Sequence, residues 1–447
     1  MRLPARLLTA ALLVAPLIAG ATGAAWAQPG PTEHWVTAWT GAAQGPYPVG
    51  FPSAQPVLAF AIPVPDSGAH DQSFRLILRP DLWGSTARLR FSNVFGTVPL
   101  VLDAVHAGLQ MSGAALLPGT NRAVSFNGLP GVAVPPGQSV WSDPVVLDFA
   151  PAAVLAGGRL AVSFHVVGDS GPMTWHAKAL TTSYLSRPGV GAAPAGDDTE
   201  FGFPFTTTSW FFLDAVDMTA PQTTHAVVAF GDSITDGTAS TLNGDDRWPD
   251  VLARRLHAAY GDRIAVVNEG IGGNQVVGPA QYTPDQPFAG GPAALQRLDR
   301  DVLGLSGVGT VVVLEGINDL GTQGNATAQS VAEGLTQLVA RLRGSIAGVR
   351  VIGATLTPAF ASSNPAHGSA DEESKRQALN DFIRHSGLFD GVLDFDAITR
   401  DPATGSLRAE FVPESTTGGA GDKLHPNRAG YQAMGGAVPL PLVLPAP

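Results

Sequence analysis

Two textures of apolar and polar positions follow one another along the 447 residues. From about residue 33 to 217 the apolar positions recur with a period of two. In Thr86–Phe91, residues Ala87, Leu89 and Phe91 share one face while Arg88 and Arg90 take the other. In Arg159–Val166, Leu160, Val162, Phe164 and Val166 alternate in the same way. Successive side chains of a strand point to opposite faces, so this period predicts half-buried strands. Clusters such as Pro135-Pro136-Gly137 and Asp169-Ser170-Gly171-Pro172 mark turns between them, and no convincing helical stretch interrupts the series. The expectation for 33–217 is an all-β sandwich of jelly-roll-like type, with Arg88 and Arg90 on a solvated face.

Near Ala220-Pro221-Gln222-Thr223-Thr224 the texture changes. Ala226–Phe230, Ile264–Val267, Thr310–Leu314, Val349–Thr355 and Gly391–Phe395 are short apolar runs, as strands buried on both faces would be. Between them, Pro249–Tyr260, Ala293–Leu305, Ala328–Arg343 and Asp371–His385 space their apolar residues by three and four, which predicts helices. Strand alternating with helix over 225–440 gives a parallel sheet covered on both faces. Ligands of such sheets bind outside the carboxyl ends of the strands. Ser233 follows the first strand and Asn318 the third, so both fall at that edge.

Composition changes the picture at the ends and in the charge. Arg2 and Arg6 precede an apolar stretch from Leu7 to about Ala21, and Ala25-Trp26-Ala27 reads as a small-x-small cleavage site. Residues 1–27 are therefore expected to be a signal peptide, and the protein secreted or periplasmic. Without them, 24 basic residues (26 less two arginines) face 37 acidic ones, a net charge of 24 − 37 = −13. That charge repels nucleic acid and anionic membrane surfaces. The chain has no cysteine, so disulfides and thiolate metal sites are excluded. Its ten histidines show no ligand spacing, so no metal and no cofactor are expected. The tail Val438–Pro447 is apolar but proline-rich and reads as a docked strap, so no stable membrane anchor is expected.

The chemistry lies in four motifs in order: Gly231-Asp232-Ser233, then Asn268-Glu269-Gly270-Ile271-Gly272-Gly273, then Gly316-Ile317-Asn318-Asp319, and last Asp422-Lys423-Leu424-His425. A serine hydroxyl needs a base before it attacks, and Ser233 would be exposed at a strand-to-helix turn. The three-residue spacing lets Asp422 reach the His425 imidazole and leaves its far nitrogen for the serine. Gly273 permits close approach of a backbone N–H, and Asn318 adds an uncharged donor, as an oxyanion requires. Taken singly, each motif reads better as a turn or a cap. Gly231-Asp232-Ser233-Ile234-Thr235 lacks the second glycine of a nucleophile elbow.

Together the four motifs resemble blocks I, II, III and V of the SGNH, or GDSL, hydrolase superfamily, over residues 226 to about 435. The resemblance implies a flavodoxin-like three-layer α/β/α fold for 225–440. It implies Ser233 as nucleophile, Asp422 and His425 as its partners, and an oxyanion hole from the N–H groups of Ser233 and Gly273 with the Asn318 amide. Gly353-Ala354-Thr355-Leu356-Thr357-Pro358 and the segment Arg376–Arg384 are similar to a subgroup of secreted bacterial GDSL esterases with a β-rich N-terminal extension, arylesterase-like or carbohydrate-active.

The expectation is thus a secreted serine esterase acting on short acyl esters, small molecules or acetylated polysaccharide. The rivals are a GDSL lipase or phospholipase, and a vestigial carbohydrate-binding protein. The sequence sets no oligomeric state. Asp232 and Asp319 read as turn caps, His176 beside Trp175 as a buried sandwich residue, and Asn93 as a candidate for reaching the active site.

Overall fold

The computed structural model describes residues 32–283 and 285–445. The expected signal peptide at 1–27 lies outside them.

In the first half, all strand pairings are antiparallel. One sheet runs in the order Glu33–Thr40, Leu213–Pro221, Thr86–Ser92, Val145–Val146, and Ser139–Trp141 also pairs with Thr86–Ser92. A second sheet is built on His70–Leu78, Leu160–Asp169 and Leu100–Ser112. The alternation seen in the sequence sends Ala87, Leu89 and Phe91 from the first sheet and Phe74, Leu76, Val162 and Phe164 from the second into one core. Two single helical turns, Ala152–Leu155 and Ala193–Gly196, are the only helices among the described residues of this half.

The opposite face of the first sheet is not solvated, contrary to the sequence expectation. Arg90 is 6% exposed; its Nε donates to Asp214 at 2.6 Å and its guanidinium reaches the Gly304 carbonyl at 3.0 Å. Arg88 pairs with Asp217 at 2.7 Å and donates to Ser306. The second half of the chain covers this face, and a period of two reads sidedness without saying what covers the polar side. Asn93 also departs from expectation. It is fully buried and donates to the carbonyls of Val98 and Val134, away from the active site.

The second half holds a five-stranded parallel sheet in the order Ile264–Gly270, His225–Gly231, Val308–Leu314, Arg350–Ala354, Gly391–Leu393. The first strand in sequence is second in space, so a crevice opens at the carboxyl edge where the connections diverge. Helices Trp248–Tyr260, Ala328–Ser345 and Ala370–His385 form where the apolar spacing predicts them. Asp250 accepts the N–H of Arg247 at the start of the first, and Ser369 accepts that of Glu372 at the start of the third. The segment predicted as one helix, 293–305, is an α-turn Ala294–Leu298 continued by a π-turn Asp299–Leu303.

The two halves are bonded together. Thr37 N–H donates to Ser306 O, Thr40 Oγ1 to Asn268 O, and Val266 N–H to Asp81. Ala226 and Ala265 of the parallel sheet pack in the core of the first half. Among the described residues, no helix is long and apolar enough to cross a membrane.

Candidate active site

Ser233 stands at the end of strand His225–Gly231, as the first residue of the short helix Ser233–Asp236. Asp232 caps that turn by accepting the Ile234 N–H at 2.8 Å. This fixes the backbone and presents the Ser233 hydroxyl to the crevice. Its Oγ lies 2.9 Å from His425 Nε2.

His425 comes from the loop before helix Arg428–Ala437, which Asn427 caps. Asp422 sets its orientation. One carboxylate oxygen accepts the N–H groups of Leu424 and His425, each at 2.9 Å; the other lies 2.7 Å from His425 Nδ1. Burial opposes the charge on Asp422, but the His425 ring and these N–H groups outweigh it and hold the carboxyl well below the usual carboxylate range. The carboxylate is therefore ionised at any working pH and fixes Nδ1 as the protonated nitrogen, leaving Nε2 free to accept.

The remaining wall is the loop after strand Ile264–Gly270. Gly273 has φ +81°, and a Cβ there would come within 2.6 Å of the Phe51 ring, so glycine is required twice over. The N–H groups of Ser233 and Gly273 find no acceptor among the described residues. Asn318 donates one amide proton to Asn274 O at 2.9 Å, which leaves the other for the cavity. The loop is held from both sides. Asp236 accepts the Gly272 N–H at 3.1 Å, and Asp319 accepts those of Val276 and Val277 at 2.8 and 2.9 Å. Asp319 thus fastens the segment after Gly273 to the Asn318 turn, a larger role than the turn cap its sequence context predicts.

Ser233, Gly273, Asn318 and His425 line one cavity of about 230 Å³, with Asp422 behind His425. A larger cavity of about 390 Å³, lined by His225, Tyr260 and Leu444, lies at the opposite edge of the sheet and contains none of the motif residues. Among the described residues, no group of three or more His, Asp or Glu side chains could hold a metal ion.

Sequence reasoning missed several neighbours. Phe51, Pro52, Ser53 and Lys178 come from the β-rich half and line the cavity. His176, expected as a buried sandwich residue, is buried but lies 3.2 Å from Asp236, beneath the oxyanion-side loop. His367, also in the wall, is paired with Glu372. No sequence motif links these positions to Ser233. The one available signal was Lys178 itself, a lone cation between alanines and one of three lysines in the chain.

Residues 229–433 match the family described as GDSL-like Lipase/Acylhydrolase family. Solved structures similar to the chain include a lipase/acylhydrolase from Enterococcus faecalis, at 24% identity and a TM-score of 0.35 over 49% of this chain and 93% of that one. A carbohydrate acetylesterase from Sinorhizobium meliloti is 17% identical, with a TM-score of 0.35 over 48% and 95%. An aryl esterase from M. smegmatis is 19% identical, with a TM-score of 0.36 over 48% and 95%. No curated protein matches the chain.

Proposed function

For a chain that carries a GDSL-like lipase/acylhydrolase domain and is a carboxylic ester hydrolase, we propose that Ser233 is the nucleophile of a two-step acyl transfer from short-chain esters. The observation that carries this reading is the continuous relay of Asp422 to His425 at 2.7 Å and His425 to Ser233 at 2.9 Å, opening onto the cavity beside Gly273 and Asn318.

In the first step Ser233 Oγ attacks the ester carbonyl while His425 Nε2 takes its proton. Asp422 stabilises the imidazolium. The oxyanion sits against the N–H groups of Ser233 and Gly273 and the free amide proton of Asn318, donors fixed before the charge develops. His425 then protonates the departing alcohol. In the second step water gives its proton to His425 and attacks the acyl-enzyme, which returns Ser233.

The acyl group is short and the alcohol is a sugar, in the form of acetylated polysaccharide or its fragments. Support comes from the modest cavity of about 230 Å³, whose wall mixes the polar Lys178, Thr238, Gln323 and Asn364 with the apolar Phe51, Pro52 and Leu424, as a sugar ester would require. The lipase reading asks for room for a long acyl chain, and a cavity of about 230 Å³ suits a short one better. The vestigial reading requires a missing group, and nucleophile, base, acid and donors all stand within reach of one another. The leader-like first 27 residues support action outside the cytoplasm.

A ladder of p-nitrophenyl esters from acetate to palmitate, with acetylated xylan alongside, tests the reading. Turnover that needs Ser233, falls beyond butyrate and releases acetate from xylan is the expected result. A maximum at long chains would replace the sugar esterase by a lipase.

A further inference from the structure

We propose that Lys178, supplied by the β-rich half, forms a subsite that binds a hydroxyl group on the alcohol portion of the ester, next to the scissile bond. The inference rests on the acyl-transfer reading above and names what lies beyond the acyl group.

The geometry places the ammonium beside the reacting centre. Lys178 is 3% exposed and lines the cavity that holds Ser233. Its Nζ donates to Thr238 Oγ1, and Thr238 lines the same cavity. A Cβ on Gly272 would lie 3.0 Å from Nζ, so the ammonium fills the space that this glycine leaves free, one residue from Gly273.

An ammonium carries three donors. Among the described residues, Thr238 Oγ1 is the one hydrogen-bond acceptor that Lys178 finds, and no carboxylate forms an ion pair with it. Asp236, the strongest source of negative charge at Lys178, accepts the Gly272 N–H through Oδ2 and stands 3.2 Å from His176 through Oδ1. Burying a cation with unspent donors costs stability unless something completes its shell. Consistent with this, burial lowers the proton affinity of Lys178, and Arg247 adds to that effect. Nζ sits beside Thr238 and Gly272, both in the cavity wall, so its remaining donors are within reach of a group that enters the cavity.

The charge around Lys178 selects that group. Asp236 and Asp422 place negative charge around the ammonium, and Arg247 adds positive charge. The subsite has no surplus positive charge for an anion, so a neutral acceptor fits it. The acetyl carbonyl is the oxygen that Ser233, Gly273 and Asn318 hold, which leaves a hydroxyl of the alcohol as the acceptor. Phe51, 42% exposed and packed over Gly273, supplies an apolar wall along which a sugar ring can lie.

The test compares three substrates: a methyl xyloside monoacetate with a free hydroxyl beside the ester, its deoxy analogue lacking that hydroxyl, and p-nitrophenyl acetate. Wild type is expected to prefer the hydroxylated ester over the deoxy ester by about 10–100-fold in kcat/KM, the range for a hydrogen bond to a charged group. Lys178→Met is expected to bring that preference to about twofold or less, with a smaller loss on p-nitrophenyl acetate, and Lys178→Arg to recover part of it. Equal losses on all three substrates would make Lys178 a support of the oxyanion-side loop and overturn the proposal. Equal turnover of hydroxylated and deoxy esters by wild type would overturn it without any variant. Ser233→Ala on p-nitrophenyl acetate is the separate arm. Activity retained there defeats the acyl-transfer reading itself.

Discussion

At the scale of single residues, the site depends on a few atoms whose neighbours are fixed. Ser233→Ala or His425→Ala is expected to abolish turnover with little change in melting temperature. Asn318 Nδ2 has one proton bound to Asn274 O and one free, so Asn318→Ala should lower kcat by about 10²–10³ with a smaller change in KM. A change confined to KM would make Asn318 a substrate contact instead. At Gly273, the strained φ and the 2.6 Å approach to Phe51 lead to a sharper test. Gly273→Ala should cost about tenfold or more in kcat, and Phe51→Ala in the same protein should restore part of it by removing the clash. No restoration would mean that the φ strain, not the ring, dominates. These residue types were legible in the sequence because acyl transfer needs a fixed set of groups. Lys178 was not, since its partner Thr238 is sixty positions away and nothing local joins them.

At the scale of elements, strand and helix positions were legible and element ends less so. A period of two or of three and four follows from backbone geometry, whereas an end is decided by which side chain caps it. The helix after His425 starts at Arg428 because the Asn427 side chain accepts the N–H groups of Ala429 and Gly430. The π-turn at Asp299–Leu303 lies where Arg297, Arg300 and Asp301 join a buried charge network, a demand that no apolar spacing reveals. Asp319 binds two N–H groups of the oxyanion-side loop, so Asp319→Ala leaves both without partners. The expected loss is about 2 kcal/mol or more in unfolding free energy, read by denaturant titration. Asp232 adds a pH dependence. Burial, against the pull of the Ile234 N–H, raises its carboxyl from 3.8 to about 7. The folded state then holds a proton that the unfolded chain releases, so this group's stability is complete below pH ~4 and lost as pH rises through about 7. Asp232→Asn keeps an oxygen for Ile234 N–H and removes the titration. Its melting temperature should fall less between pH 4 and 7 than that of wild type, and parallel curves would contradict this.

At the scale of the molecule, the two textures of the sequence become two sheet systems that share an interface the sequence did not reveal. Arg88 and Arg90 look like surface residues to any local reading, yet they bond to Ser306 and Gly304 in the other half. Ala226 and Ala265, paired within the parallel sheet, send their side chains into the first core. The whole chain is therefore expected to unfold in one calorimetric transition, with a fragment from residue 222 onward losing both stability and activity. Two resolved transitions, the first leaving activity intact, would show that the β-rich half is dispensable. The most direct test of the account is the mass of the protein quenched during turnover of p-nitrophenyl acetate. An acetyl increment on the peptide containing Ser233, absent in Ser233→Ala, is expected. Steady turnover with that peptide unmodified, or undiminished turnover in Ser233→Ala, would contradict the acyl-enzyme.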